Sequence, residues 1–334
     1  MHTIEVWPDG FIRHHGKKCR LNFEKILLME MRKLWRAFAA PVALITLMSG
    51  CASQQSAVET IADVEPVSIS ATESASVSTV IALANGSAEI VAALGYKNIL
   101  IGRDIASTSS ELSSVEVVTS GHQVLPEKIL SLKPDLVLID ASTGPVSALK
   151  VLRESGVKLV AISEAWSTAD ISKKIDEVAA AIGVPAAGSN LNAAMELFTQ
   201  NIAAVPSNTG IVFLYLRGGS AIYLVGGKGS GADSLLDSIG VNDLGAENLE
   251  NPFTPMSAET LSSLNPDIFL VMSKGLESVG GLQGFLELPG VAQTKAGRNS
   301  AVVAVDDSLL LSFGPRTPAM IESLAQSINT VLSR

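Results

Sequence analysis

Few side chains in this sequence are suited to chemistry, and their positions narrow the choice further. Of 4 His, three (His2, His14 and His15) precede residue 51, so His122 is the one imidazole in the 284 residues that follow. It stands in a loop, after Thr119-Ser120-Gly121 and a short strand over residues 115–118. An imidazole can ligate a metal or carry a proton near neutral pH, yet a lone histidine is by itself more often a surface or core residue. Tyr215 is one of 3 Tyr. Residues 211–217 alternate with period two, so Tyr215 and Arg217 share one face of a strand. A phenol there is either a packed ring with a satisfied hydroxyl or a reactive group. It titrates near ~10 in water and needs a nearby cation to ionise at neutral pH.

Other chemistries are poorly served. The run Gly226 to Gly231 lacks G-x-x-x-x-G-K-[ST], because Lys228 is followed by Gly229, so it reads as a turn or cleft loop. There is no G-x-S-x-G elbow and no assigned acidic partner for His122, which argues against a hydrolase triad. Zinc sites usually gather several His, and this chain cannot supply them. With 33 acidic and 24 basic residues the formal charge is −9, so the chain is not built to hold nucleic acid. Charged residues are 17% and apolar residues 47%, which suits a well-packed core and excludes a disordered chain.

The N-terminal region reads as an export signal. Met31-Arg32-Lys33-Leu34-Trp35-Arg36 is basic, residues 37–48 are apolar, and Leu47-Met48-Ser49-Gly50-Cys51 ends in small residues. Twelve apolar residues are too few to cross a bilayer, which takes about 20. The order resembles a bacterial lipoprotein signal, with Cys51 acylated as the mature N-terminus. The mature chain then carries 16 basic against 29 acidic residues, net −13. Residues 52–78, rich in Ser, Ala, Thr, Val and Glu, are expected to form a flexible tether.

The elements that position the reactive groups follow. Residues 79–83 and 97–102 read as strands flanking a helix over 88–94 that ends at Gly95. Ile129-Leu130-Ser131-Leu132-Lys133-Pro134-Asp135, followed by an apolar strand, is echoed by Thr260-Leu261-Ser262-Ser263-Leu264-Asn265-Pro266-Asp267 and its strand. The proline cannot extend the helix, and an apolar run without alternation suits a strand covered on both faces. Two α/β halves of similar plan are therefore predicted, over 79–182 and 207–334. Between them, within 183–206, a helix is expected from about 187 to 204. Its apolar stripe is Leu191, Met195, Phe198 and Ile202.

These features together resemble the class III substrate-binding proteins of bacterial ABC importers, over about residues 80–332. Within that class the chain looks most like the heme-binding lipoproteins of heme importers. The narrower marks are Gly102-Arg103-Asp104-Ile105-Ala106-Ser107-Thr108, Thr119-Ser120-Gly121-His122, Leu214-Tyr215-Leu216-Arg217-Gly218, Gly226-Gly227-Lys228-Gly229-Ser230-Gly231-Ala232-Asp233, Met272-Ser273-Lys274-Gly275-Leu276-Glu277-Ser278 and Ser312-Phe313-Gly314-Pro315-Arg316-Thr317-Pro318.

The resemblance implies an α/β fold of two Rossmann-like lobes joined by a single long helix. It implies a monomeric carrier, not an enzyme, anchored by lipid outside the cell membrane. Ferric heme would lie between the lobes, with His122 and Tyr215 as axial ligands and Arg217 supporting the phenolate. Arg103, Arg217, Lys274 and Arg316 are candidates for the propionates. Trp166, Phe253, Met256 and Phe313 are candidates for the cleft wall. Glu89 and Asp237, on matching helices of the two halves, are candidates for docking on the permease, which a cytoplasmic ATPase drives. A ferric siderophore or a corrinoid is the alternative cargo of the same fold. An extracytoplasmic α/β hydrolase is the reading from another class.

Overall fold

A computed structural model describes residues 58–121, 123–198 and 202–334. Residues 1–50 of the expected signal, Cys51 and His122 lie outside the described residues.

The tether expectation is corrected first. From Val58 the chain is part of the fold. Val58–Ile61 (β1) pairs in parallel along residues 302–305, with Ile61 buried. The following segment crosses onto the other half. The Val67 N–H donates to the Pro315 carbonyl at 2.9 Å, Ile69 N–H to Ala93 O at 2.8 Å and Ser76 N–H to Ile182 O at 2.9 Å. Two helix-ending glycines make room for it. At Gly95 (φ 92°) a Cβ would meet the Ala71 nitrogen at 2.5 Å, and at Gly183 (φ 82°) the Ser76 Oγ at 2.2 Å.

The N-terminal lobe is a parallel sheet of β2 (Val80–Ala82), β3 (Leu100–Arg103), β6 (Leu136–Ile139) and β7 (Leu159–Ala161), in the order β3-β2-β6-β7. A hairpin of β4 (Thr119–Ser120) and β5 (Gln123–Val124) stands beside it. The C-terminal lobe contains β8 (Gly210–Arg217), β9 (Ile222–Gly226), β10 (Asn242–Asp243), β11 (Phe253–Pro255), β12 (Ile268–Met272) and β13 (Val302–Val305). Their order is β1-β13-β12-β8-β9-β11, with β10 on the start of β8. Strands β1, β13, β12 and β8 run parallel, while β9 and β11 are antiparallel to their neighbours. The apolar runs of β6, β12 and β13 are buried throughout, as strands covered on both faces must be.

The two Leu-x-Pro-Asp units fold alike. Helix Pro126–Leu132 ends on Lys133 (φ 50°) and helix Ala258–Leu264 on Asn265 (φ 42°), each with a positive φ before proline. The aspartate then clamps the start of a neighbouring strand. Asp135 Oδ2 accepts the Ser78 and Thr79 N–H groups at 2.8 and 3.0 Å, and these bonds hold its carboxyl below the usual range. Asp267 Oδ2 accepts the Gly210 N–H at 2.8 Å, while its own N–H returns to Gly210 O at 2.8 Å.

Helix Ile171–Ile182 is followed by the linking helix Pro185–Phe198, which is shorter than expected. Leu191 and Met195 are buried, but Phe198 is exposed and residues 202–206 lie outside the helix. The apolar stripe breaks at Phe198, and Pro206 favours extended backbone at Val205.

A polar seam joins the lobes from within. Glu89, on helix Ser87–Val91, is 1% exposed and Arg316 is 2% exposed. Arg316 Nε donates to Glu89 Oε2 at 3.0 Å and Nη2 reaches Glu89 Oε1, a bidentate pair. The same guanidinium donates to Asp63 at 3.1 Å and to Ser308 Oγ at 3.0 Å. Beside it Lys174 Nζ, also buried, donates to Ser312 O at 2.8 Å, and Asn85 Nδ2 to Leu311 O at 3.1 Å. Burial pushes the Glu89 carboxyl up, against the hydrogen bonds and charge of Arg316. Two expectations fall here. Glu89 is no surface docking carboxylate and Arg316 no propionate ligand, because each is the other's partner in the interior.

Removing one member of such a pair strands a buried charge. Arg316→Met is expected to lower stability by about 3–5 kcal/mol in urea unfolding, and adding Glu89→Gln should recover much of that loss. Lys174 gives a pH signature. Burial lowers its amine to about 8, against the pull of the Asp140, Glu89 and Glu164 carboxylates. Between about pH 8 and 10.5 the unfolded chain still holds that proton and the folded chain has lost it. Lys174 therefore makes stability rise with pH across this window, a slope that should be absent in Lys174→Met. Unfolding curves at pH 8, 9 and 10 would read it.

Candidate functional site

A cavity of about 620 Å³ opens where the carboxyl ends of the two sheets face each other. Ligands of open α/β sheets bind at such strand ends. From the N-terminal lobe, Leu83 and Asn85 follow β2, Asp104 and Ile105 follow β3, and Ser142 and Thr143 follow β6. From the C-terminal lobe, Arg217 ends β8, Met272 and Lys274 come from the end of β12, and Asp307, Ser308 and Leu311 follow β13.

The N-terminal side is held by a buried carboxylate. Asp140 accepts the Thr143 and Ser142 hydroxyls at 2.7 and 2.8 Å and the Asn85 N–H at 2.7 Å. One side chain thus fixes the loops after β2 and β6. Asp104 similarly accepts the Ser107 hydroxyl and the Ala106 N–H, and burial pushes its carboxyl up. The β4–β5 hairpin adds Thr119, Gly121 and Val124 to the cavity wall. His122 stands between β4 and β5 in the sequence and lies outside the described residues.

The C-terminal side holds Tyr215 and Arg217. They are the two half-buried positions of β8, on the face that the alternation predicted. The Arg217 guanidinium carbon sits 4.7 Å from the centre of the Tyr215 ring, a cation–π contact. Phe253 meets the same ring edge-on, with centroids 5.8 Å apart and planes at 67°. Arg217 Nη1 lies 3.3 Å from Asp307 Oδ2, and the Lys274 N–H donates to Asp307 Oδ1 at 3.1 Å.

Several expected site residues stand elsewhere. Arg103 does not face the cavity: it donates to the carbonyls of Leu112, Asp104 and Ser107 and so shapes the loop after β3. Phe313 is buried beside the seam, and its ring would touch a Cβ at Gly231. Trp166 is exposed, outside the cavity lining, with its indole N–H on Glu164. Met256 is half-buried against the C-terminal core. Phe253 reaches the site only through Tyr215. The apolar wall is made instead by Leu83, Ile105, Val124, Met272 and Leu311. Asp237 is exposed near the end of helix Ala232–Ser238. The residues missed in the sequence, Asn85, Asp104, Asp307 and Ser308, share one signal: each lies within three residues of the end of a sheet strand.

Among the described residues no group of three or more His, Cys, Asp or Glu could hold a bare metal ion, and no helix is long and apolar enough to cross a membrane.

Comparison with known proteins places this geometry. The family model described as periplasmic binding protein matches residues 80–309. The ABC transporter substrate-binding lipoprotein YvrC of Bacillus subtilis, itself uncharacterized, is 26% identical over 316 residues, covering 89% of this chain and 98% of YvrC. The heme binding protein HmuT superposes with a TM-score of 0.71 at 32% identity, over 81% of this chain and 96% of that one. Solved HmuT variants replace a histidine, a tyrosine and an arginine, the last two separated by one residue. The periplasmic heme-binding protein RhuT of Roseiflexus sp. RS-1, in apo form, gives 0.70 at 32% identity, over 76% and 99%.

Proposed function

The chain belongs to the periplasmic binding protein family, with its class III fold, and from that premise we propose that it is the heme-binding component of an ABC importer. It works outside the cytoplasm, takes ferric heme into the cleft between its lobes and delivers it to a permease. It is a carrier and not an enzyme. The observation that carries the reading is the Tyr215–Arg217 pair at the end of β8, beside a cavity that the histidine-bearing hairpin also lines. The spacing of tyrosine and arginine matches the pair replaced in the HmuT variants.

The residues present suit this cargo. A cavity of about 620 Å³ with five large apolar wall residues and Ala106 is in the range that buries a flat organic ligand. His122 and Tyr215 are the axial ligands, one from each lobe. An imidazole and a phenolate both ligate heme iron, and the anionic oxygen favours the ferric state. The Arg217 charge over the ring supports the phenolate. Lys274, exposed at the cavity, pairs with a propionate. Cys51 carries the lipid anchor, and Asp237 is a docking carboxylate for the permease. The chain acts as a monomer.

Hemin titration of the purified protein tests this. The wild-type chain should give a shifted Soret band and a ferric–phenolate charge-transfer band. Tyr215→Phe should abolish the latter, and His122→Ala should move the former. Each should weaken binding at least about tenfold, the equivalent of about 1.4 kcal/mol. Spectra unchanged in both variants overturn the ligand assignment. A siderophore or corrinoid co-purifying with a chain that gives no Soret response overturns the cargo.

A further inference from the structure

Arg217 can act on Tyr215 only if something holds it there. Its side chain is 38% exposed and ends a strand that turns at once into Gly218. A long cationic side chain in that setting samples many rotamers unless it is anchored. The anchor is Asp307, which is 16% exposed. Its two oxygens have separate work. Oδ1 accepts the main-chain N–H of Lys274 at 3.1 Å, and this bond fixes the carboxylate. Oδ2 faces Arg217 Nη1 at 3.3 Å.

Three adjacent strand ends produce this arrangement. In the order β13-β12-β8, Asp307 follows the first strand, Lys274 the second and Arg217 ends the third. The carboxylate reaches across the end of β12, bonds to its backbone on the way and meets the guanidinium on β8. Asp307 is free for this because its neighbour does the capping. Asp306 accepts the Ser308 N–H at 2.9 Å and the Ser308 hydroxyl at 2.6 Å, and so closes the start of helix Asp307–Ser312. A carboxylate beside cations that await a dianionic cargo weakens their attraction for it. Asp307 therefore makes sense by where it puts Arg217, not by its charge.

We propose that Asp307 is a positioning residue that holds the Arg217 guanidinium over the Tyr215 ring and thereby sets the electrostatic environment of the ligating oxygen. This rests on the heme reading above. It commits Arg217 to the tyrosine. Lys274, whose ammonium has no ion pair among the described residues, is left for the propionate.

Two measurements test the proposal separately from the cargo. In the protein without hemin, the Arg217 Nε–H resonance should show a nuclear Overhauser contact to the Tyr215 ring. Asp307→Asn, which keeps the shape and removes the charge, should abolish that contact. Asp307→Ser should do the same with a smaller side chain. With hemin, Asp307→Asn should move the ferric–phenolate band toward its position in Arg217→Ala and weaken binding about tenfold. The double variant should match Arg217→Ala alone. An unchanged Overhauser contact in both Asp307 variants overturns the proposal. So does a band shift of the same size in the Arg217→Ala background, which would mean direct action of the Asp307 charge. Failure of the heme reading looks different: the wild-type chain gives no Soret complex, while the Overhauser contact still reports on Asp307.

Discussion

A cleft between two sheets exists only if their carboxyl ends are kept facing each other, and here a buried ion pair does that. Glu89 from one lobe and Arg316 from the other meet where neither touches water. Asp63 joins the same guanidinium, so three chain segments converge on one side chain. A buried ion pair adds little net stability beside an apolar contact of equal shape, because both charges lose their hydration. What it supplies is directional. A bidentate guanidinium–carboxylate pair has one good geometry, and an apolar contact has many. Lys174, donating to backbone carbonyls of the opposite lobe, extends the same constraint.

The chain crosses between the lobes twice, and this adds to the restraint. The linking helix Pro185–Phe198 is one crossing, and the segment from β1 to the start of β2 is the other. Two crossings and a buried seam limit how far the lobes can move against each other. Single carboxylates tie the cavity walls together: Asp140 bonds to the loops after both β2 and β6, and Asp307 bridges the ends of three neighbouring strands.

Much of the fold was legible because its signals are local. A proline after a helix, a following aspartate and an apolar run of strand length are read within about a dozen residues, and both such units form as expected. Period-two alternation put Tyr215 and Arg217 on one face, where the ring and the guanidinium now touch. Residues 58–78 misled for the opposite reason. Their composition suits a tether, but an open edge along β13 offers hydrogen bonds that no local pattern announces. The length of the linking helix misled too: its stripe continues in sequence to Ile202, which packs on the core from outside the helix, while Phe198 is exposed.

The heme ligand set was implied by the resemblance, whereas residue types and short-range spacing determined the α/β plan, the paired halves and the shared strand face of Tyr215 and Arg217. Those properties follow from backbone preferences and side-chain chemistry, which act over a few residues. The roles of individual charges were decided only by tertiary structure. Arg103, Arg217 and Arg316 are alike as letters, yet one organises a loop, one stacks on a tyrosine and one locks the lobes together. The difference lies in which carbonyl, ring or carboxylate the fold brings within 3 to 5 Å, from as far as 253 residues away. Charges are costly to bury alone, so their partners fix their roles, and partners distant in sequence appear only once the chain has folded.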